Sequence, residues 1–257
     1  MNTKSRIGRM ALAIGLLAGP WFHAGHAADE PAALKPGDRI VFLGDSITAQ
    51  GTKGEFGYLN LIKTELTKAR PDLNLEIIGA GVSGNKVPDA QKRLEKDVLE
   101  KKPAVVVIYL GINDVWHQTG KFKGLTGTPK EAYVAGLKDL VLRCRAAGAR
   151  VILCTPTVIG EKTDGSNATR TAVNTLVPVD ALLDAYADLS RQVATETRAQ
   201  LLDLHKAFRD HLKANNPENL IQGILTFDGV HLNADGNQFV AKLMLEALQV
   251  PPAPAAP

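Results

Sequence analysis

The sequence predicts an α/β fold in three layers, a central parallel sheet between two sets of helices. Two observations carry that expectation. Short, β-branched and nearly uninterrupted apolar runs recur along the chain, the pattern of strands covered on both faces. Longer amphipathic segments separate them in strict alternation, so each strand is followed by a right-handed crossover back to the same sheet. A chain of 257 residues, 45% of them hydrophobic, is long enough to bury the core that one such domain needs.

The first 27 residues stand outside that domain. Lys4, Arg6 and Arg9 make a positive start, Met10 to Phe22 is apolar, and Ala24-Gly25-His26-Ala27 offers small residues for cleavage after Ala27. Basic, then apolar, then small is the pattern of a secretory signal. A membrane anchor is the competing reading, but the apolar run is shorter than the ~18 to 20 residues that a span requires. The expected domains are therefore a signal peptide over 1–27, a globular domain over 28–249 and a Pro/Ala tail over 250–257, disordered by composition. The expected product is exported, periplasmic or extracellular, with no stable membrane insertion once the signal is removed. The formal charge of +3 disappears with the leader, which holds three basic and no acidic residues and leaves 27 of each sign. Nothing in that balance steers the chain towards nucleic acid or an anionic membrane.

The strands expected in order are Ile40–Leu43, Leu75–Ile78, Ala104–Leu110, Arg150–Cys154 and Gln200–Leu204, with Val105-Val106-Val107-Ile108 central. The intervening helices are expected at 57–69, 88–101, 129–147, 178–198 and 234–249. In the first, Leu59, Ile62, Leu66 and Ala69 recur at helical spacing. For the third, Thr128 is the expected cap, Pro129 the first helical residue and Glu131 the partner that closes a capping box. Residues 160–175 form a polar excursion placed near the site. Their Asn167-Ala168-Thr169 matches a glycosylation acceptor by chance. Cys144 and Cys154 read as two buried thiols rather than a bridge, a metal site or a nucleophile.

Folds of this kind place their sites in loops at the carboxyl ends of the strands. The first such loop is Gly44-Asp45-Ser46-Ile47-Thr48, where a glycine lets the chain leave the sheet and presents Ser46 at the start of a helical turn. Taken alone it is equally a polar turn with Asp45 or Ser46 as a helix cap. The second is Gly79-Ala80-Gly81-Val82-Ser83-Gly84-Asn85, which also fits G-x-G-x-x-G. A dinucleotide fingerprint, however, requires an acidic residue about twenty positions on, at the end of the next strand, and Glu100 precedes that strand. The third loop holds Asn113 in Gly111-Ile112-Asn113-Asp114, where a buried amide needs partners and is suited to donate to an anion. Asp114 is expected to orient this loop, and Trp116 to wall a pocket. Near the C-terminus, Asp228-Gly229-Val230-His231 sets a carboxylate and an imidazole three residues apart. That spacing lets Asp228 hold one ring nitrogen while the other faces a serine. His205 and His211 are six apart on one helix, without the spacing of a zinc site.

These four blocks, with Gly44-Asp45-Ser46, Gly84, Asn113 and Asp228-x-x-His231 all intact from about Arg39 to Leu248, resemble the SGNH or GDSL hydrolase family. The resemblance implies a flavodoxin-like fold and ester hydrolysis through an acyl-enzyme on Ser46, with His231 as base and Asp228 as its orienter. It also implies an oxyanion hole made of Ser46 N–H, Gly84 N–H and the Asn113 side chain. No cofactor or metal is called for, and no G-x-S-x-G elbow occurs. Within the family the charge balance and the want of an apolar lid favour short-acyl esters such as O-acetyl carbohydrates, with the partner a small-molecule or polysaccharide ester. A lipase, lysophospholipase or thioesterase of the same family, and a non-catalytic carbohydrate-binding protein, are the alternatives.

Overall fold

The computed structural model of the protein describes residues 34–250; the expected signal peptide and, apart from Val250, the expected tail lie outside the described residues. The elements run β1 (Arg39–Gly44), α1 (Ser46–Gly51), α2 (Tyr58–Ala69), β2 (Glu76–Gly81), α3 (Val87–Asp97), β3 (Val105–Tyr109), α4 (Ile112–Trp116) and α5 (Lys130–Ala146). They continue β4 (Arg150–Cys154), β5 (Ala168–Arg170), β6 (Leu176–Pro178), α6 (Asp180–Thr197), β7 (Gln200–Leu202), α7 (Leu204–Asn215) and α8 (Ala234–Leu248).

The five expected strands form one sheet in the order β2-β1-β3-β4-β7, with every pairing parallel. β3 is buried along its whole length, as a central strand must be. Helices α2 and α8 pack together in one layer, while α5 packs against both α3 and α6 in the other. Between sheet and helices lie Phe42, Ile62, Leu94, Ile108 and Phe208, all essentially inaccessible. Burying each such side chain stabilises the fold by about 1.5–3 kcal/mol relative to leaving it exposed. Cys144 and Cys154 are both buried and unbridged, as expected.

One consequence of the strand order positions the site. From β1 the chain steps outwards to β2, then crosses back to β3 on the other side of β1, which opens a crevice at the carboxyl ends. Gly44 is in register with both Gly81 and Tyr109, so the loops leaving β1, β2 and β3 start side by side.

Several local expectations are corrected. Gly44 ends β1 with ordinary backbone, and glycine is needed there for room: a Cβ would lie 2.0 Å from Thr48 Oγ1 and 3.0 Å from the Tyr109 carbonyl. Gly79 and Gly81 belong to β2 rather than to a loop after it, so they make no phosphate-binding turn. The Thr128 cap is not made. Pro129, extended at φ −57° and ψ 151°, is itself the cap residue, without a side-chain cap bond, and Thr128 N–H donates to the Asp114 carbonyl. The last strand stops at Leu202, since Asp203 turns to cap α7 by accepting from Lys206 N–H. Pro178 closes the small antiparallel hairpin of β5 and β6 rather than opening α6. Asn167 is buried and bonded through its amide to the Lys162 carbonyl and to Asp180, unsuited to accept a glycan.

Candidate active site

Ser46 is the first residue of α1, placed directly beyond β1. Asp45 caps that helix, its Oδ1 accepting from Ile47 N–H at 2.9 Å. At such a position the serine N–H has no acceptor within its own helix. Across the crevice, the turn from Thr226 to Leu232 is closed by a bridge between those two residues and by Phe227 N–H donating to the His231 carbonyl. Within it Asp228 Oδ1 accepts from the backbone N–H of Val230 (3.0 Å) and His231 (2.7 Å). Its Oδ2 lies 2.7 Å from His231 Nδ1, and His231 Nε2 lies 2.9 Å from Ser46 Oγ.

These contacts decide the proton positions. Desolvation pushes the Asp228 carboxyl upwards, but hydrogen bonds from the His231 ring and from the His231 and Val230 N–H groups outweigh it and hold the pKa below the ordinary carboxylate value. An ionised carboxylate only accepts, so His231 Nδ1 carries the proton and donates to it. In the neutral ring Nε2 is then an acceptor, facing the Ser46 hydroxyl. The arrangement can move a proton from hydroxyl to imidazole while the carboxylate balances the charge that forms.

Gly84 has φ +77°, and a Cβ built there would meet nothing within 4 Å. Its glycine therefore answers to backbone conformation and to the open crevice, not to packing. Asn113 is buried, with Nδ2 donating to the Asn85 carbonyl at 3.1 Å and lying 3.4 Å from Asp45 Oδ2. One N–H is thus well engaged and the other weakly, which fixes the amide and leaves a donor for a better acceptor. Trp116 stands beside the imidazole, ring centroids 6.5 Å apart, and is itself held by Nε1 donating to Thr169 Oγ1 on β5. The polar excursion therefore does reach the site, as its composition suggested.

The Asp114 carboxylate accepts from Val87 N–H at the start of α3, at 3.1 and 3.3 Å. Burial raises its pKa to about 6 and that of Asp45 to about 7, in both cases mainly through desolvation. Two supports escaped the sequence reading. Glu161, fully buried, accepts from the N–H groups of Ile224, Leu225 and Thr226 and from Thr226 Oγ1, at 2.6–2.8 Å. Thr226 Oγ1 in turn accepts from Gly229 N–H, which ties this carboxylate to the Asp228–His231 turn. Arg93 of α3 bonds to the ends of β1 and β2. Glu161 lies in an irregular stretch with no period to betray it, whereas Arg93 falls beside the Val87, Ala90, Leu94 face of α3, where a charge is unexpected.

Residues 42–239 match the GDSL-like lipase/acylhydrolase family. An acetylxylan esterase of Geobacillus stearothermophilus is 31% identical over 224 residues, covering 82% of this chain and 94% of that protein. The crystal structure of the acetyl xylan esterase AlAXEase superposes with a TM-score of 0.73 at 39% identity, covering 81% of this chain and 98% of its own. That of an acetylxylan esterase from Geobacillus stearothermophilus gives 0.71 at 29% identity, over 87% and 99%.

Proposed function

The chain belongs to the GDSL-like lipase/acylhydrolase family and is a carboxylic ester hydrolase; from that premise we propose that Ser46 is its nucleophile and acetylated xylan-type sugars its substrates. The observation that carries the proposal is the unbroken chain of hydrogen bonds from Ser46 Oγ through His231 to Asp228. His231 Nε2 takes the hydroxyl proton as Ser46 Oγ attacks the ester carbonyl, and Asp228 balances the imidazolium. Ser46 N–H, Gly84 N–H and the Asn113 amide receive the oxyanion. The tetrahedral adduct collapses as His231 returns the proton to the leaving sugar hydroxyl. A water deprotonated by the same ring then attacks the acetyl-serine, and His231 returns that proton to Ser46 Oγ as acetate departs.

The similarity to two acetylxylan esterases supports the substrate class. So does the rim of the site. Phe227 is 54% exposed and its ring lies nearly parallel to the imidazole, 17° apart with centroids at 5.7 Å. The leaving alcohol departs on the His231 side, so an exposed aromatic face there suits the apolar face of a sugar ring. Export belongs to the same reading, with residues 1–27 as leader, the enzyme as 28–249 and the tail as an appendage. Among the described residues no helix is long and apolar enough to cross a membrane.

The test is acetate release from acetylated xylo-oligosaccharides together with hydrolysis of p-nitrophenyl esters from C2 to C12. The proposal expects the fastest turnover at C2 and on the sugar, and covalent labelling of Ser46 by a fluorophosphonate. Preference for long acyl chains overturns the substrate; parental turnover in Ser46→Ala overturns the nucleophile.

A further inference from the structure

Arg93 lies next to the apolar face of α3 with its side chain only 15% exposed, where a guanidinium is costly unless its donors are used. They are used on the site. Nη2 donates to the Gly44 carbonyl at 2.7 Å, Nη1 to the Ala80 carbonyl at 2.8 Å and to Asp97 Oδ2 at 3.0 Å, and Nε to Asn85 Oδ1 at 2.6 Å. Gly44 stands two residues before Ser46. Asn85 follows Gly84 and closes its turn by donating from its N–H to the Val82 carbonyl, and the Asn85 carbonyl accepts from Asn113. One planar fork thus touches or adjoins the segments that bear all three oxyanion donors.

We propose that Arg93 is a positioning residue that holds Ser46 N–H, Gly84 N–H and Asn113 Nδ2 in mutual register. The proposal rests on the oxyanion assignment above and adds what keeps it in shape. Donors to an oxyanion work only when preset at about 2.7–3.1 Å from where the charge develops, and these three come from loops after three different strands. A guanidinium bridges several acceptors rigidly, whereas an ammonium on a flexible stem is a single point.

The experiment is a double-mutant cycle on p-nitrophenyl acetate, with kcat, KM and Tm for Arg93→Met, Arg93→Lys, Asn113→Ala and Arg93→Met with Asn113→Ala. Arg93→Met is expected to lower kcat about 30-fold and Asn113→Ala about 100-fold, each with KM within about twofold. The double variant falls well short of the product of the two effects, because part of what Arg93 does passes through Asn113. Arg93→Lys recovers a minor share of the lost kcat. Effects that multiply fully, or a loss that appears in KM alone, overturn the proposal. Should Arg93→Met not fold, Asn85→Ala decides: it removes only the Nε contact and leaves the carbonyl, and parental kcat in it overturns the role. Parental kcat in Asn113→Ala sinks the oxyanion assignment itself, whereas a slow Asn113→Ala beside a parental Arg93→Met sinks only the part given to Arg93.

Discussion

Asp228 and Asp45 both lie within a few bonds of Ser46, yet their surroundings oppose one another. The Asp228 side chain is 37% exposed, meets three N–H donors and is held below the ordinary carboxylate pKa. Asp45 is 2% exposed, has one good donor in Ile47 and a second buried carboxylate, Asp114, nearby, and is pushed up to about 7. A carboxylate that must orient an imidazole and balance its charge has to stay ionised, and solvent with converging donors ensures it. A carboxyl that only caps a helix can tolerate burial, at a cost in stability that depends on pH.

The largest effect tests the first half of that contrast. Ser46→Ala is expected to lose on the order of 10⁶-fold in kcat. Asp228→Asn should lose about 10⁴-fold while folding normally, because the amide no longer holds the proton on Nδ1. Initial-rate kinetics on p-nitrophenyl acetate check both, and a loss below tenfold in Asp228→Asn would break the comparison.

The second half is tested by stability against pH. With folded pKa values raised to about 7 and about 6 from 3.8, Asp45 and Asp114 bind more protons in the native state than in the unfolded one between pH 4 and 7. Their contribution is fully present below pH 4 and lost as pH rises through that window. For Asp45 the loss amounts to at most about 4 kcal/mol, from about 1.4 kcal/mol per unit. Urea unfolding at pH 5 and pH 8 should show Asp45→Asn gaining on the parent at the higher pH. Parallel slopes would mean that Asp45 is not perturbed. Asp228 contributes in the opposite sense, its share lost only as pH falls below the ordinary carboxylate range.

Glu161→Gln sharpens the contrast from beneath the Asp228–His231 turn. It sets an amide NH2 against backbone donors and should destabilise by about 3 kcal/mol, read as a lower urea midpoint at unchanged m-value. Parental stability would mean that the four bonds to residues 224–226 do not hold the turn. The smallest effect belongs to the rim: Phe227→Ala should raise KM several-fold, about 1 kcal/mol, for an acetylated xylo-oligosaccharide and hardly at all for ethyl acetate. Equal changes on the two esters would deny Phe227 a part in sugar binding.

Much of the frame was legible because strand runs and helix faces are short-range patterns. Val105 to Ile108 announces a central strand by itself, and Arg150–Cys154 begins and ends where its apolar run does. Some boundaries shifted where a side chain was drawn into other bonds, as when Asp203 turned to cap α7 while also pairing with Arg191 and Thr155. The residues of the four blocks were legible as candidates only together, since a serine after a glycine, an amide after a buried strand and an Asp three before a His are each ordinary turns when taken alone. Arg93 and Glu161 were not singled out. An arginine on a helix and a glutamate in a polar loop are ordinary until their distant partners, Gly44 at 49 residues from Arg93 and Leu225 at 64 from Glu161, are known.

From the sequence alone came the alternation of strands and helices, the three layers and the candidates for the side chains that bear chemistry, because periodicity and residue type are properties of neighbours along the chain. Only the tertiary structure decided which ring nitrogen of His231 carries the proton, that Asp45 is driven towards neutrality while Asp228 is not, and that one guanidinium spans the ends of β1 and β2. Those depend on burial and on distances between segments far apart in sequence, quantities that do not exist until the chain has folded.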